Sequence, residues 1–174
     1  MKQIILISLF LFSVVGYSQT DSLTFSEVMF NSSGTNNEFI EIYNLSSQPV
    51  DLSNHRIKYS TATPDVIVSA GFGTILPARS YAVILEGDYD SLSGIYNALI
   101  PPSALRLRIS DNAFGASGLA NTEARQLWII RGTTDTLETY TYSANNATGI
   151  SDEKIILSKN NLASNWLNSL VLNG

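Results

Sequence analysis

The residues of this sequence that are best suited to bind a metal ion lie in one short acidic loop. Glu86, Asp88 and Asp90 alternate with Gly87 and Tyr89. Hard cations such as Ca²⁺ prefer carboxylate and carbonyl oxygens that are clustered in loops of this kind. The pattern of an EF-hand loop is absent, and Asp and Gly are also common residues of ordinary turns. The spacing makes the three acids a candidate Ca²⁺ site, with a solvated turn as the alternative.

Two tyrosines are a candidate surface for stacking against a ligand. Tyr140 and Tyr142 are separated by one residue in a segment rich in Thr and Tyr, so their side chains should share one face of a strand. Paired aromatic rings on an exposed strand face can stack on a sugar or a peptide. Alternatively, both rings cover the core and only their hydroxyl groups reach water.

The composition argues against the common catalytic centres. His55 is the single histidine and the chain has no cysteine, so zinc would have few ligands besides carboxylates. A Ser-His-acid arrangement needs a positioned nucleophile, and no Gly-x-Ser-x-Gly elbow is present. Glu38 and Glu41 should lie on opposite faces of a strand, and Glu41 is expected to pair with a cation on a neighbouring strand. We therefore predict that the protein is not an enzyme.

Short segments rich in Val, Ile, Thr and Tyr recur along the chain between clusters of turn-forming residues. This regular spacing of strand and turn signals is typical of a β-sandwich or barrel. No segment has the periodicity of an amphipathic helix. The predicted strands are Leu23–Phe30, Glu38–Asn44, Ile57–Tyr59, Asp65–Val68, Ser80–Leu85, Ala104–Ile109, Gln126–Arg131, Leu137–Ser143 and Lys154–Leu157.

Alternation within these strands predicts which side chains face the core. In residues 105–109 three aliphatic side chains alternate with Arg106 and Arg108, so one face of that strand should pack in the core and the other should be exposed to solvent. Ile40 and Ile42 should face the same core. Phe39 lies on the opposite face and should be covered by a loop.

The N-terminal residues have the features of an export signal. A lysine near the start is followed by an apolar run over residues 4–15, which is too short to span a bilayer. Gly16 and Ser18 then provide the small residues that precede a cleavage site. This pattern predicts a signal peptide over residues 1–18, cleaved near Ser18-Gln19. Because the chain has no cysteine for a lipid anchor, we expect a bacterial protein secreted to the periplasm or the medium.

The remaining residues, 19–174, suit a single domain with an adequate core. This domain is either the whole exported protein or a fragment of a longer one. Without Lys2 the chain keeps nine Lys and Arg against fifteen Asp and Glu, a net charge of −6. DNA binding depends on neutralising phosphates, so we expect no nucleic-acid partner. We also expect no membrane span, because no later apolar run approaches the length of a transmembrane helix.

The segment over residues 27–57 carries a family resemblance. It reads EVMFNSSGTNNEFIEIYNLSSQPVDLSNHRI, which is a strand, a polar loop, an alternating strand, a turn and a Val-Asp-Leu-Ser sequence. This succession, continued by residues 76–85 and 110–130, resembles the lamin-tail domain of nuclear lamins and of some secreted bacterial proteins. The family usually has Gly and Trp after Asp-Leu-Ser, whereas this chain has Asn54 and His55.

The resemblance implies an all-β, immunoglobulin-like β-sandwich without shared catalytic residues. Members of the family are interaction and accessory modules, and bacterial ones often accompany secreted hydrolases. We therefore expect a secreted, non-catalytic binding or structural module whose partner is a protein or a cell-surface glycan. The alternatives are a Ca²⁺-stabilised carbohydrate-binding accessory domain and, less favoured, a hydrolase.

Overall fold

The computed structural model describes residues 22–173, so the predicted signal peptide lies outside the described residues. Within this range the chain forms strands and three short 3₁₀ segments, and no α-helix. The strands are β1 (Leu23–Met29), β2 (Phe39–Asn44), β3 (Val50–Asp51), β4 (His55–Tyr59), β5 (Asp65–Ser69), β6 (Ile75–Leu76), β7 (Tyr81–Leu85), β8 (Leu105–Ile109), β9 (Gln126–Arg131), β10 (Asp135–Thr141), β11 (Asp152–Lys154) and β12 (Trp166–Asn168).

Ten of these strands form one sheet in the order β10-β9-β4-β5-β8-β7-β2-β1-β11-β12. Neighbouring strands are antiparallel except β7 and β8, which run parallel. The sheet curls, so that β1 also contacts β10 across the interior. β3 and β6 form a separate antiparallel pair. The predicted all-β, immunoglobulin-like sandwich is confirmed.

The main core fills the space inside the curled sheet. Ile40, Ile42 and Leu107 are fully buried there, while Arg108 is exposed on the other face. The predicted alternation of these strands is therefore confirmed. The core also contains Leu23, Phe25, Val28, Phe30, Val50, Leu52, Ile57, Ile67, Leu76, Ala82, Ile84, Ile109, Phe114, Leu119, Leu127, Ile129, Tyr140, Tyr142 and Trp166.

A second apolar cluster lies on the outer face of the sheet, beneath the loop over residues 86–104. Phe39 packs edge-on against Tyr96, with ring centroids 4.9 Å apart. Arg106 holds the loop down, because its Nη2 donates to the carbonyl oxygens of Asn97 (3.1 Å) and Ile100 (3.0 Å). The prediction that Phe39 lies under a loop is confirmed. We call this group the outer cluster; it consists of Met29, Phe39, Val83, Leu85, Tyr89, Tyr96 and Ile100.

The C-terminal strands differ from the prediction. The predicted strand Lys154–Leu157 is shifted, because β11 covers Asp152–Lys154 and the chain then turns. Ile155 and Ile156 are 53% and 65% exposed, so their apolar composition suggested a strand that the sheet does not contain. The short strands β3, β6 and β12 were not predicted, since two or three residues carry no readable alternation.

Candidate functional site

A cleft of about 690 Å³ lies between the two edge strands of the curled sheet. Thr139 and Thr141 of β10 line one side, and Leu167 and Asn168 of β12 line the other. Residues 159–163 form its rim. Because β10 and β12 are the two ends of the sheet order, the cleft is the gap at which the curled sheet fails to close.

The backbone of Thr141 faces this gap. The amide of Ser60 donates to the carbonyl of Gln126 (2.9 Å), which turns the Gln126 backbone toward β4 and away from β10. Tyr142 and Arg125 form a hydrogen-bonded pair, since the amide of Tyr142 donates to the carbonyl of Arg125 (3.2 Å). Bonded and non-bonded pairs alternate along an antiparallel ladder. Thr141, which lies opposite Gln126, therefore directs its N–H and C=O to the free side of β10.

The backbone of Asn168 faces the same gap from the other side. Ser169 donates its amide to the carbonyl of Ser151 at 2.9 Å, so these two residues form a bonded pair between β11 and β12. Asn168 lies opposite Asp152 in the adjoining pair. By the same alternation its N–H and C=O point away from β11 and toward the cleft.

Two side chains bond carbonyl groups elsewhere on the β10 edge. Lys159 Nζ donates to the carbonyl of Leu137 at 2.9 Å, and Asn161 Nδ2 donates to the carbonyl of Thr139 at 2.7 Å. Thr141, the last residue of β10, is therefore the position on this edge that is open to a further strand.

The floor of the cleft is rigid. The rings of Tyr140 and Trp166 stack with centroids 3.7 Å apart and planes 12° from parallel. Tyr140 Oη donates to Asp152 Oδ2 at 2.7 Å. The same carboxylate accepts from the amide and the hydroxyl of Ser143, both at 2.6 Å, and from Asn146 Nδ2 at 3.0 Å. With four donors already bound, Asp152 acts as a structural anchor.

A buried charge pair connects the two sheet edges behind the cleft. Lys154 Nζ on β11 lies 3.8 Å from Glu138 Oε1 on β10 and donates to the carbonyl of Ser158 at 2.9 Å. Burial lowers the pKa of Lys154 to about 8, opposed by the charge of Glu138 and assisted by that of Lys159. Lys154 Nζ also lies 5.0 Å from the centroid of the Trp166 ring. These contacts hold the edges of the gap in place.

The structure corrects the predicted ligand face at Tyr140 and Tyr142. The two residues share a face, but they are only 5% and 0% exposed and belong to the main core. Tyr142 stacks on Phe30 with centroids 4.8 Å apart, and its hydroxyl donates to the carbonyl of Ala120 at 3.1 Å. The inner face of β10 is covered by β1, so the rings cannot form an exposed platform. Tyr140 alone borders the cleft.

The three acids of the predicted Ca²⁺ site have separate environments. Glu86 is 3% exposed and accepts from the amide of Glu38 at 3.0 Å; burial raises its pKa to about 7. Asp90 accepts from the hydroxyl and amide of Ser93, which lower its pKa. Asp88 is exposed. Among residues 22–173, no group of three or more His, Cys, Asp or Glu residues is arranged to hold a metal ion. Calcium binding stays a prediction.

Glu41 lies opposite another acid, which corrects the prediction of a cross-strand cation. Glu27 of β1 faces Glu41 of β2, and Glu153 of β11 faces Glu27 from the other side. Ser151 Oγ donates to Glu27 at 2.7 Å, and Ser26 Oγ donates to Glu41 at 2.8 Å. Burial raises the pKa of Glu27 to about 8 and that of Glu41 to about 7. Near neutral pH Glu27 is therefore largely protonated, and Glu41 is about half protonated.

The other ionisable candidates lie apart from one another. His55 is 2% exposed at the start of β4, where it lies opposite Arg131 of β9. Glu38 accepts from the amide of Leu119 at 2.7 Å, whereas Glu41 is bound on the outer face of the sheet. Glu38 precedes β2 and Glu41 lies within it, and the two glutamates accept hydrogen bonds from different segments.

Sequence analysis missed Thr141 and Asn168 as parts of a cleft, which Trp166 also lines. The lone Trp166 in a polar segment was the available signal. Its meaning depends on the sheet order, in which β12 pairs with β11 and faces β10 across a gap. No local pattern contains that order.

The curled all-β sheet is an immunoglobulin-like β-sandwich. Residues 17–166 match the family described as Lamin Tail Domain. The chain therefore belongs to the lamin-tail domain family, whose members are generally non-catalytic. A comparison with curated protein sequences finds no match. None of the helical segments within residues 22–173 has the length and apolar character needed to cross a membrane.

Proposed function

We propose that this protein is an exported, non-catalytic binding module that captures an extended segment of a protein partner between β10 and β12. The observation that carries the proposal is the pair of open backbone edges, at Thr141 and at Asn168, on opposite sides of one cleft. A strand that enters this gap would pair with both edges and complete the curled sheet. Strand addition to an open sheet edge is a common mode of peptide recognition.

The apolar lining supports a peptide as the occupant. Leu162 and Leu167 border the cleft and are 69% and 43% exposed. In strand addition the main chain supplies affinity, and pockets for alternate side chains supply specificity. The two leucines can cover alternate side chains of the added strand, and their burial would contribute further affinity.

A cell-surface glycan is the second candidate. The amide side chains of Gln126, Asn160 and Asn168 line the cleft and can bond sugar hydroxyls. However, the ring that a sugar would need is already occupied, because Trp166 is only 9% exposed and stacks on Tyr140. This arrangement favours the peptide.

Export rests on the charged, apolar and small-residue pattern of residues 1–18. The partner is then an exported or cell-surface protein, and an exported hydrolase would suit the accessory role that the family resemblance implies. Intact-mass analysis of the protein recovered outside the cytoplasm should give a chain that begins at Gln19. Recovery of the chain with Met1 retained would contradict export by cleavage.

The binding mode is tested with two substitutions at one position. A displayed library of short, unstructured peptides is selected against the wild-type protein, and the affinity of the selected peptides is measured by fluorescence anisotropy. Thr141→Pro removes the N–H that faces the cleft, at an edge position where proline is tolerated. Thr141→Val keeps that N–H and removes only the hydroxyl. Thermal melts confirm that both variants fold.

Strand addition predicts that Thr141→Pro weakens binding at least tenfold while Thr141→Val changes it less than threefold. Equal losses in both variants would assign recognition of the peptide to the Thr141 hydroxyl and would refute pairing through the backbone. Binding unchanged by Thr141→Pro would place the peptide site elsewhere.

A further inference from the structure

A second pocket, of about 150 Å³, opens on the outer face of the sheet beside the outer cluster. Its acidic side is formed by Glu27 and Glu41, which lie directly opposite each other on β1 and β2. Its apolar side is formed by side chains of the sheet and of the covering loop, namely Phe39, Val83, Tyr96, Leu99, Ile100 and Pro101.

Two further polar groups border this pocket without a bond to any residue from 22 to 173. The hydroxyl of Tyr96 and the Oδ1 of Asn173 are both buried and have no partner in that range. Tyr96 is 2% exposed, and its ring is fixed against Phe39. Burial is the largest cause of the raised pKa of Tyr96, and the charges of Tyr89 and then of Glu27 add to it. Since buried polar groups in proteins are nearly always hydrogen-bonded, an unsatisfied hydroxyl beside two acids indicates that a bound group completes the site.

The chemistry of the lining defines that group. Two carboxylates, an amide oxygen and a phenol oxygen all accept hydrogen bonds, so the ligand must donate several and carry positive charge. The apolar side requires an alkyl stem next to the charge. We propose that the pocket binds a primary alkylammonium group, the side chain of a lysine of a partner protein. An ammonium on its methylene stem has three donors and no acceptor, which matches this lining.

The size of the pocket agrees with a lysine side chain. A water molecule occupies about 30 Å³ in the liquid, so 150 Å³ offers room for about five groups of that size. The four-carbon stem and the ammonium of lysine are about five such groups. A bare metal ion would leave the apolar side unfilled, and no metal-binding group of three acids was found among the described residues.

Ionisation of the two acids should be linked to binding. Burial raises the pKa of both Glu27 and Glu41, and the other titratable groups that face them are Glu153 on β11, Tyr81 on β7 and Tyr96. A bound cation favours the ionised carboxylates, so binding should release protons. Free lysine keeps its charge up to a pH of about 10. The affinity should therefore rise between about pH 6 and pH 9.

The test uses Nα-acetyl-lysine amide as the probe and Nα-acetyl-norleucine amide as its uncharged match. NMR titration of the wild-type protein at pH 8 should give saturable binding of the lysine probe that is at least tenfold tighter than that of the norleucine probe. Shifted signals should include residues beside Tyr96. n-Pentylamine, a free amine with a similar stem, should bind no more tightly than the lysine probe.

Two variants locate the site. Glu27→Gln keeps the shape of the side chain and should weaken binding of the lysine probe at least tenfold, whereas Glu123→Gln makes the same substitution at an exposed position and should leave binding unchanged. Equal binding of the two probes, or equal losses in the two variants, would overturn the proposal. So would tighter binding of n-pentylamine, or displacement of the probe by Ca²⁺ at equal concentration. The pH dependence is measured on the wild-type protein. An affinity for the lysine probe that falls from pH 6 to pH 9 would also overturn the proposal.

Discussion

Raising the pH from about 5 to about 8 should destabilise this protein, and Glu27 should account for a large part of the loss. In the folded protein Glu27 is protonated up to a pH of about 8, whereas the ordinary value is 4.5. Unfolding between these two pH values therefore releases a proton. Stability that depends on a protonated carboxyl is fully present below about pH 4.5 and is lost as the pH rises toward 8.

The magnitude follows from the difference between the two pKa values. At about 1.4 kcal/mol for each pKa unit, the interval from 4.5 to about 8 corresponds to at most on the order of 5 kcal/mol. Glu27 is partly exposed, so water relieves part of this penalty, and we expect about 2–3 kcal/mol. For a chain of this length, each kcal/mol changes the melting temperature by about 2–4 °C. Glu27 alone should therefore lower it by about 5–10 °C.

The assay compares the wild-type protein with Glu27→Gln in thermal and urea melts at pH 5, 6, 7 and 8. Glutamine keeps an oxygen that can accept from the Ser151 hydroxyl and cannot ionise. The two proteins should be nearly equally stable at pH 5, and the variant should be more stable at pH 8 by about 2–3 kcal/mol. Parallel curves for the two proteins across this range would refute the assignment of a raised pKa to Glu27.

Three other outcomes are expected. Leu107→Ala should cost about 2–5 kcal/mol because Leu107 is fully buried, and Arg108→Ala should cost under about 1 kcal/mol because Arg108 is exposed; urea melts with the opposite ranking would contradict the observed register. Lys154 has a pKa of about 8 in the folded protein and an ordinary value of 10.5, so the free energy of unfolding should increase as the pH rises from 8 to about 10. Lys154→Met should abolish this pH-dependent increase in thermal melts. Millimolar Ca²⁺ should not raise the melting temperature more than Mg²⁺ does, since Asp90 is already bonded within its turn; a Ca²⁺-specific rise that Asp90→Asn removes would restore the predicted metal site.

Much of the fold could be predicted because the strands that define it are long enough to show a pattern. The alternation in β8 and β2 predicts that Leu107, Ile40 and Ile42 lie in the core, and the structure agrees. The prediction places this strand too late in the chain, because Ile155 and Ile156 have the composition of a strand but lie after the end of β11. Their exposure is set by the turn toward β12, and the turn depends on contacts with residues distant in sequence.

The candidate sites were less predictable because both depend on which strands become neighbours. Glu27 and Glu41 are fourteen positions apart in the chain, and only the β1–β2 register brings them opposite each other. The cleft likewise depends on β10 and β12 being the two ends of one curled sheet. The tyrosine pair shows what spacing alone can and cannot predict. Spacing fixed the shared face of Tyr140 and Tyr142, but whether that face was core or surface depended on β1.

The position of the acidic pair is itself an argument for function. Like charges directly opposite each other in a sheet are destabilising once both carboxyls ionise, and ionising a buried carboxyl costs further free energy. Glutamine at position 27 or 41 would satisfy the same serine hydroxyls without either penalty, so stability alone does not explain two glutamates there. Sequences depart from local rules mainly at functional sites. The cost is accounted for if a cation enters beside Tyr96 and makes the ionised pair favourable.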